Sequence, residues 1–430
     1  MTATASMFEK LSPRPNGLPH EQVVSHQRER LCRAMVAAAA EEGCERVTVG
    51  ELCLLAGVSK RTFYEIFASK QECLAAAHER IVCQAVQRIR YAPAVEGWPQ
   101  ESLQAGIAAL FAEAMHRPDA ARFALLEAID ATSAALERQG WAARQIQREI
   151  AHRLRYAGEA PVSQLALRAI VAGLSHVIRT RLIDGRAAEL PLLAPDLTAW
   201  ALSCVARLSN AQSRAVAKVY QLHAGATCVR DRCLQQTGKL FLQRDDRALL
   251  MESALVLVAG GGRLRLHPES LANHSGVPAR RLRALFGDEQ QCLHEAIHDG
   301  GAQLLRDAIE VGKQQMEWQQ ALRAGVLALL AGLRTHPALA RVLFVESLSF
   351  GVRAHAVRAE LLARATQTLQ QTMPVGAVSS AVVCEASVAA AAGLIAAHVA
   401  DFGPSRIHEL ATHAEALLLA PAALSAPAFR

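Results

Sequence analysis

The chain has 430 residues, a formal net charge of +6 and an isoelectric point near 8.9. This length is too great for one compact core and predicts two or three domains. Apolar residues make up 51% of the chain and aromatic residues only 4%. Alanine and leucine account for much of the apolar fraction, and both favour helices over strands. The small positive net charge is compatible with nucleic-acid binding and does not by itself exclude any class of function.

The ten cysteines are scattered, with no C-x-x-C pair and no zinc-ligand spacing. We therefore expect reduced thiols in a cytoplasmic protein, with no metal and no cofactor. A redox pair at Cys228 and Cys233 is the alternative. The polar segment 1–17 lacks the apolar core of a signal peptide.

The N-terminal segment 1–20 is predicted to be a flexible arm because it is polar and rich in proline. A helix follows from Glu21 to Glu42 and ends at Gly43. This helix opens a predicted domain that spans residues 21–91.

The stretch 48–74 predicts two short helices joined by a tight turn. The first runs from Val49 to Leu55, with Leu52 and Leu55 facing inward. Gly57 ends it, because glycine accepts a left-handed backbone conformation at low cost. Ser59 then supplies the N-cap of a second helix through Tyr64. Two capping boxes mark further helix starts, namely Thr48-x-x-Glu51 and Ser69-x-x-Glu72.

A helix, a glycine turn and a basic, polar helix together predict a helix-turn-helix whose second helix enters the DNA major groove. Hydroxyls and backbone N–H groups at the helix starts suit phosphate oxygens, and the exposed polar face suits base edges. A helical hairpin with a solvated basic face is the alternative. The candidate DNA contacts are Thr48, Ser59, Lys60, Arg61, Thr62, Tyr64 and Lys70.

The pattern T-(7)-A-G-V-S-x-R-T-F-Y-x-x-F-x-S-K-x-x-x-L, read from Thr48 to Leu74, closely resembles the DNA-binding signature of the TetR family of bacterial repressors. The resemblance implies an all-α fold with an N-terminal helix-turn-helix head. It further implies a helical body that binds a small, largely apolar effector, and a four-helix bundle formed with a partner body. Repression rather than activation is what the family leads us to expect.

The following region, 92–222, predicts that helical body. A long helix from Lys70 to about Tyr91 links the head to it. The predicted helices of the body run from Glu101 to His116, Asp119 to about Gln139, Trp141 to Tyr156, Val162 to Ile183, and Asp196 to about Leu222. Val375 to Ala400 is apolar enough to raise the question of a membrane span. It is rich in alanine and contains Glu385 and His398, so a buried packing helix is the better interpretation.

The chain then repeats its own pattern at an offset of 219 residues. Without gaps, matched residues include Leu31 and Leu250, Gly43 and Gly262, Leu52 and Leu271, Arg61 and Arg280, Phe67 and Phe286, and Pro118 and Pro337. We therefore predict an internal duplication. Its parts are a connection (223–240), an altered helix-turn-helix domain (241–310) and a second body (311–430).

The second head departs from the pattern at the expected DNA contacts. His267, Pro278, Arg281, Arg283 and Glu289 replace Thr48, Ser59, Thr62, Tyr64 and Lys70. Proline removes a capping hydroxyl and a backbone donor, and glutamate repels phosphate. Against this, Arg280, Arg281 and Arg283 keep the helix basic and are the second set of candidate DNA contacts. Whether this head binds DNA is left open.

The predicted molecule is an all-α, single-chain pseudo-dimer that binds operator DNA and an unidentified small, largely apolar effector, and that does not associate with a membrane. A homodimer is the alternative state. Two other functions compete with regulation: a helical enzyme that carries a TetR-like head, and a module that sequesters another regulator. We find no catalytic residues, since His152 and His176 lie among apolar residues of predicted helices.

Overall fold

In the computed structural model, the described residues are 19–94, 98–127, 133–155, 162–219, 240–241, 245–262, 265–349, 351–374 and 380–424. All regular elements within these ranges are helical, so the predicted all-α fold is confirmed. Nearly all of the predicted arm (1–20) and connection (223–240) lies outside them, as do Cys228 and Cys233.

The first half of the chain, residues 20–219, begins with a compact head and continues into a bundle of longer helices. Its elements are α1 (His20–Glu42), α2 (Val49–Ala56), α3 (Lys60–Ile66), α4 (Lys70–Tyr91), α5 (Pro99–His116), α6 (Pro118–Arg122), a π-helical turn (Phe123–Glu127), α7 (Ser133–Arg155), α8 (Gln164–Ile183), a 3-10 turn (Ala187–Leu193) and α9 (Ala194–Val219).

The second half, residues 246–424, has the same order of short and long helices. Its elements are α10 (Asp246–Gly261), α11 (Pro268–Ser275), α12 (Ala279–Phe286), α13 (Glu289–Lys313), α14 (Trp318–Thr335), α15 (Pro337–Phe344), a 3-10 turn (Glu346–Ser349), α16 (Gly351–Thr372), α17 (Ala381–Phe402), a 3-10 turn (Pro404–Leu410), α18 (Ala411–Leu418) and α19 (Ala420–Leu424). Helices α11 to α15 each start 219 positions after α2 to α6, as Val49 and Pro268 illustrate.

The first body contains the largest departure from the sequence prediction. A single helix was expected from Asp119 to about Gln139, but α6 ends at Arg122 and passes into the π turn. Helix α7 begins at Ser133, eight residues before the predicted start at Trp141. A π turn widens the helix by one residue per turn, which α-helical periodicity in a sequence does not reveal.

The two heads differ in how their cores relate to the body. The first head packs around its own apolar cluster, which includes Leu31, Leu52, Phe63 and Phe67 and reaches the body through Phe123. The corresponding side chains of the second head are part of the large core that also fills both bodies, including Leu250, Leu271, Leu282 and Phe286. Helix α10 packs against α15, which is eight residues long where α6 has five. The second head is therefore joined to its body by continuous packing.

The two bodies meet where α8 packs along α17 and α9 packs against α18 and α19. The backbones approach closely at Gly173, where an added Cβ would lie 2.9 Å from the Ala386 carbonyl oxygen and would also overlap the Trp200 ring. Trp200 Nε1 donates to Ser387 Oγ at 2.9 Å across this contact. Helices α8 and α17 therefore pack closely where Gly173 leaves room.

Helix α17 is apolar and long enough to cross a membrane, but 72% of its most apolar window is buried inside the protein. Its Glu385 forms an ion pair with Arg181 of α8 at 2.9 Å and accepts a hydrogen bond from Thr180 Oγ1 at 2.7 Å. Both features are typical of a packing helix in a helical core.

Candidate nucleic-acid interface and ligand cavity

The helix-turn-helix of the first head is held by capping bonds. Ser59 Oγ accepts from the Thr62 N–H at 3.0 Å and starts α3. At α2, the Glu51 N–H donates to Thr48 Oγ1 at 3.3 Å while the Thr48 N–H donates to the Glu51 carboxylate at 2.7 Å. Hydrogen bonds from Thr48 lower the pKa of Glu51. Gly57 adopts φ 60 and ψ 40 between the two helices, as predicted.

The solvent face of α3 carries the cationic and aromatic candidates. Lys60 and Tyr64 are exposed, and Tyr64 retains 58% of its surface. Arg61 is 90% exposed and pairs with Glu65 at 3.0 Å, a surface ion pair that is easily exchanged for a phosphate. These side chains are free to meet DNA.

Two predictions for the flanking residues need revision. Leu55 was expected to face inward, but it is 40% exposed, whereas Cys53 and Ala56 are buried, so that prediction is wrong. Lys70 Nζ donates to the carbonyl oxygens of Val47 at 2.9 Å and of Cys44 and Glu45 at 3.2 Å. The ammonium therefore closes the loop before α2, and its contact with phosphate stays a prediction.

The second head lacks these caps. His267 and Pro278 make no side-chain capping bond at the starts of α11 and α12. Arg280 and Arg283 are exposed, whereas Arg281 pairs with Asp246 of α10 at 2.8 Å. Of the three predicted cationic contacts in this head, one is therefore partly neutralised.

One packing detail is shared by both heads. The Arg28 guanidinium lies 4.8 Å from the Phe67 ring centroid, and the Arg247 guanidinium lies 4.8 Å from that of Phe286. These cation–π contacts fix the end of the second helix of each helix-turn-helix against its first long helix. The two arginines are 219 positions apart in the sequence, and so are the two phenylalanines.

The first body contains a cavity of about 210 Å³ between α4, α5, α6, α7 and α8. Its walls are mostly apolar, and the alanines that line it include Ala114, Ala120, Ala124 and Ala142. Helix α4, which follows α3 after only three residues, contributes His78, Ile81, Val82 and Ala85 to the wall. The cavity therefore lies directly behind the head.

The polar side chains of the cavity have different surroundings. Glu113 pairs with Arg88 at 3.1 Å and with Arg117 at 3.4 Å, so this acid is neutralised. Burial and then the charge of Arg138 lower the pKa of His78 to about 4, so it is neutral at physiological pH. Arg179 of α8 has a fully buried Nε without a hydrogen-bond partner.

Four positions of the cavity wall carry larger side chains in the second body, although Gly300 and Gly301 replace Ile81 and Val82 there. Residues 219 positions after the four alanines are Leu333, Leu339, Leu343 and Leu361, which are all buried. Leu339 Cδ2 lies 3.1 Å from where a Cβ on Gly300 would stand, and Leu361 Cδ1 lies 2.5 Å from that on Gly301. These leucines fill the space that is open in the first body.

The described histidines do not assemble a catalytic site. His176 is buried, and burial followed by the charges of Arg179, Arg358 and Arg181 lowers its pKa to about 3. His152 lies on the exposed side of α7. Within the described ranges, no group of three His, Cys, Asp or Glu side chains is placed to hold a metal ion.

Residues 33–77 match the family model of bacterial regulatory proteins of the tetR family. No curated protein matches the chain. Similar solved structures include the transcriptional regulator FadR from Bacillus subtilis in complex with stearoyl-CoA, with 18% identity over 40% of this chain and 96% of that one and a TM-score of 0.36. The fatty acid degradation regulator FadR from Bacillus halodurans has 16% identity over 41% and 94%, with a TM-score of 0.35. A TetR transcriptional regulator from Rhodococcus sp. RHA1 has 23% identity over 42% and 97%, with a TM-score of 0.30.

The geometry of α2 and α3 defines a helix-turn-helix DNA-binding protein. Its DNA-binding segment, residues 33–77, is of the type found in bacterial regulatory proteins of the tetR family. The resemblance inferred from the sequence is confirmed for this head. The residues that line the cavity, Arg179 among them, were not predicted, because the sequence does not show how the consecutive helices α4 to α8 pack around it.

Proposed function

We propose that the protein is a ligand-responsive transcriptional repressor in which a single chain supplies both halves of a pseudo-dimer. The observation that carries DNA binding is α3, a capped helix that presents Lys60, Arg61 and Tyr64 to solvent next to a left-handed Gly57 turn. Such a helix fits the major groove and its cations fit the flanking phosphates. A cytoplasmic location follows from this role.

The pseudo-dimer is supported by the repeated spacing of the helices and by the packing of the bodies. Helices α8 and α9 pack against α17, α18 and α19 in the manner of a dimer bundle, but within one chain. In such an arrangement the apolar bundle face is already buried, so no second chain is needed. The unlike heads then favour an asymmetric operator over a perfect palindrome.

The ligand response is supported by helix α4, which is shared by the head and the cavity. Ser69 caps its first turn beside α3, and its middle carries His78, Ile81 and Val82 in the cavity wall. Ala124 of the π turn lines the same cavity as these residues of α4. An effector that fits the cavity better in one position of α4 shifts the head toward that position and changes DNA affinity.

A mobility-shift titration on the DNA upstream of the protein's own gene tests DNA binding. We expect a specific complex whose affinity falls steeply as salt rises, because phosphate contacts release counterions. A protein with no preference for this DNA over random duplex, at low and at physiological salt, would contradict the proposal. It would leave sequestration of another regulator or catalysis as the function.

Light scattering tests the single-chain arrangement. We expect a compact particle with the mass of one chain, 46.2 kDa, at micromolar concentration. A strict dimer that does not dissociate on dilution would show that the bundle forms between chains instead.

A further inference from the structure

The cavity of the first body contains a cation, Arg179, that no residue in the described part of the chain neutralises. Arg179 lines the cavity, and its Nε is fully buried. Among the described residues, none accepts a hydrogen bond from Arg179 or pairs with it as a carboxylate. The side chain keeps some accessible surface, as expected for a group that faces a cavity.

A second such cation comes from the other half of the chain. Arg358 lies on α16, which packs against the π turn whose Ala124 and Leu125 line the cavity. Arg358 likewise has no carboxylate or hydrogen-bond partner within the described ranges. Burial lowers the pKa of both arginines to about 10, and the charge of Arg179 contributes to the lowering at Arg358. Both therefore remain charged at neutral pH, close to one another.

Two acids of this region, among the residues that the structure describes, are already paired with other cations. Glu385 pairs with Arg181 at 2.9 Å and lies 3.8 Å from the neutral His176. Glu113 is held by Arg88 and Arg117. A buried charge without a partner is costly. An anion that binds between the two neighbouring guanidinium groups would therefore be strongly stabilised. Guanidinium groups satisfy carboxylates and phosphates through paired, parallel hydrogen bonds.

The rest of the cavity wall is mostly apolar and favours an apolar group on the ligand. A cavity of ~150 Å³ accommodates benzene, so the observed volume of about 210 Å³ suits an apolar group of roughly eight non-hydrogen atoms. We propose that the cavity binds a compact apolar molecule with an oxyanion head group, which Arg179 and Arg358 hold together. This inference rests on the proposed function in one respect: it takes the cavity as the effector site.

The arrangement gives the second half of the chain a role in sensing. Leu339 and Leu361 fill its own equivalent space, yet helix α16, which carries Arg358, packs against the π turn beside the cavity of the first half. A bound anion bridges α8 and α16, and thereby couples the two bodies. One chain then binds one ligand.

Isothermal titration of the full-length protein with hexanoate, hexyl phosphate and 1-hexanol tests the inference. The three probes share one alkyl chain, so a difference in affinity reports the head group alone. We expect at least one of the two anions to bind roughly ten- to hundredfold more tightly than the alcohol, since charge-assisted hydrogen bonds are lost with the neutral head. Equal affinity for all three, or no binding by either anion, would overturn the proposal.

Two charge removals and one control locate the site. Arg179→Gln and Arg358→Gln should each weaken the preferred anion by roughly tenfold or more and leave 1-hexanol unchanged. Arg406→Gln is the control, because this exposed arginine is paired with Glu409 and does not line the cavity. Arg179→Gln should also melt no lower than the wild type without ligand, because it removes an unpaired charge. Unchanged anion affinity in both variants would refute the assignment.

A third variant tests occupancy of the cavity. Ala142→Leu places in the first body the residue that fills the second, and it should abolish binding of all three probes. DNA binding of the ligand-free wild type is measured on the same preparation. DNA binding without anion binding would refute this inference alone, whereas absence of DNA binding would refute the proposed function.

Discussion

The two halves of the chain share the spacing of their helices and differ at the surfaces that would bind ligands. In the first half, α2 and α3 are capped, the head has its own apolar core and the body encloses a cavity. In the second half, α11 and α12 have no side-chain caps, the head core is continuous with the body and leucines fill the equivalent space. Packing residues keep their positions, whereas the groups that would meet DNA or effector change.

This difference indicates a division of labour. A head with a separate core can move relative to its body, whereas a head that shares the body's core resists displacement. We infer that the first half binds DNA and the effector and that the second half supplies the fixed side of the bundle. Arg358 is the exception, because this residue of the second half belongs to the ligand site that we propose in the first half.

The filled second body offers the largest expected effect. Leu339→Ala should destabilise the protein by about 2–5 kcal/mol, because it deletes a fully buried side chain that packs against Gly300. The matched change, Ala120→Leu, should cost less, because the first body has open space at this position. Chemical denaturation of both variants measures the difference. Equal costs would mean that the two bodies are packed alike.

The contact between the bodies gives the next largest effect. Gly173→Ala should cost about 1–3 kcal/mol, because the new methyl group meets the Trp200 ring and the Ala386 carbonyl oxygen. Gly260→Ala is the control, since nothing lies within 4 Å of its added Cβ. Thermal unfolding should separate them clearly. A Gly173→Ala protein as stable as the control would show that α8 and α17 do not pack as described.

The caps of the heads give the smallest effect. Ser59→Ala removes the acceptor of the Thr62 N–H and should cost α3 about 1 kcal/mol, or roughly fivefold faster amide exchange. Pro278→Ser, the matched change in the second head, should alter exchange in α12 by less, because a gained cap offsets the lost rigidity of proline. Exchange in α3 that is insensitive to Ser59→Ala would show that this cap does not hold the helix.

The sequence predicted features that depend on neighbouring residues. Helix capping acts within one turn of the chain, so the roles of Gly57, Ser59 and the Thr48–Glu51 box could be predicted from the sequence. Lys70 looked free because nothing in its local sequence reveals the three carbonyl groups that approach from residues 44–47. Arg179 was overlooked for the same reason, since an unpaired cation is recognised only when every neighbouring acid can be placed. The π turn was missed because its register depends on tertiary packing.

Charge removal in the two heads tests the central claim, unequal halves, most directly. The affinity for the upstream DNA is measured for the variant Lys60→Ala with Arg61→Ala and for the variant Arg280→Ala with Arg281→Ala. Both are compared first at one fixed salt concentration and then over a series of salt concentrations. We predict that the first pair costs far more affinity and lowers the salt slope by about one per lost phosphate contact. The second pair should cost less, because Arg281 is already paired with Asp246. Equal losses of DNA affinity for the two pairs would contradict the account. They would indicate that both heads contribute equally to DNA binding.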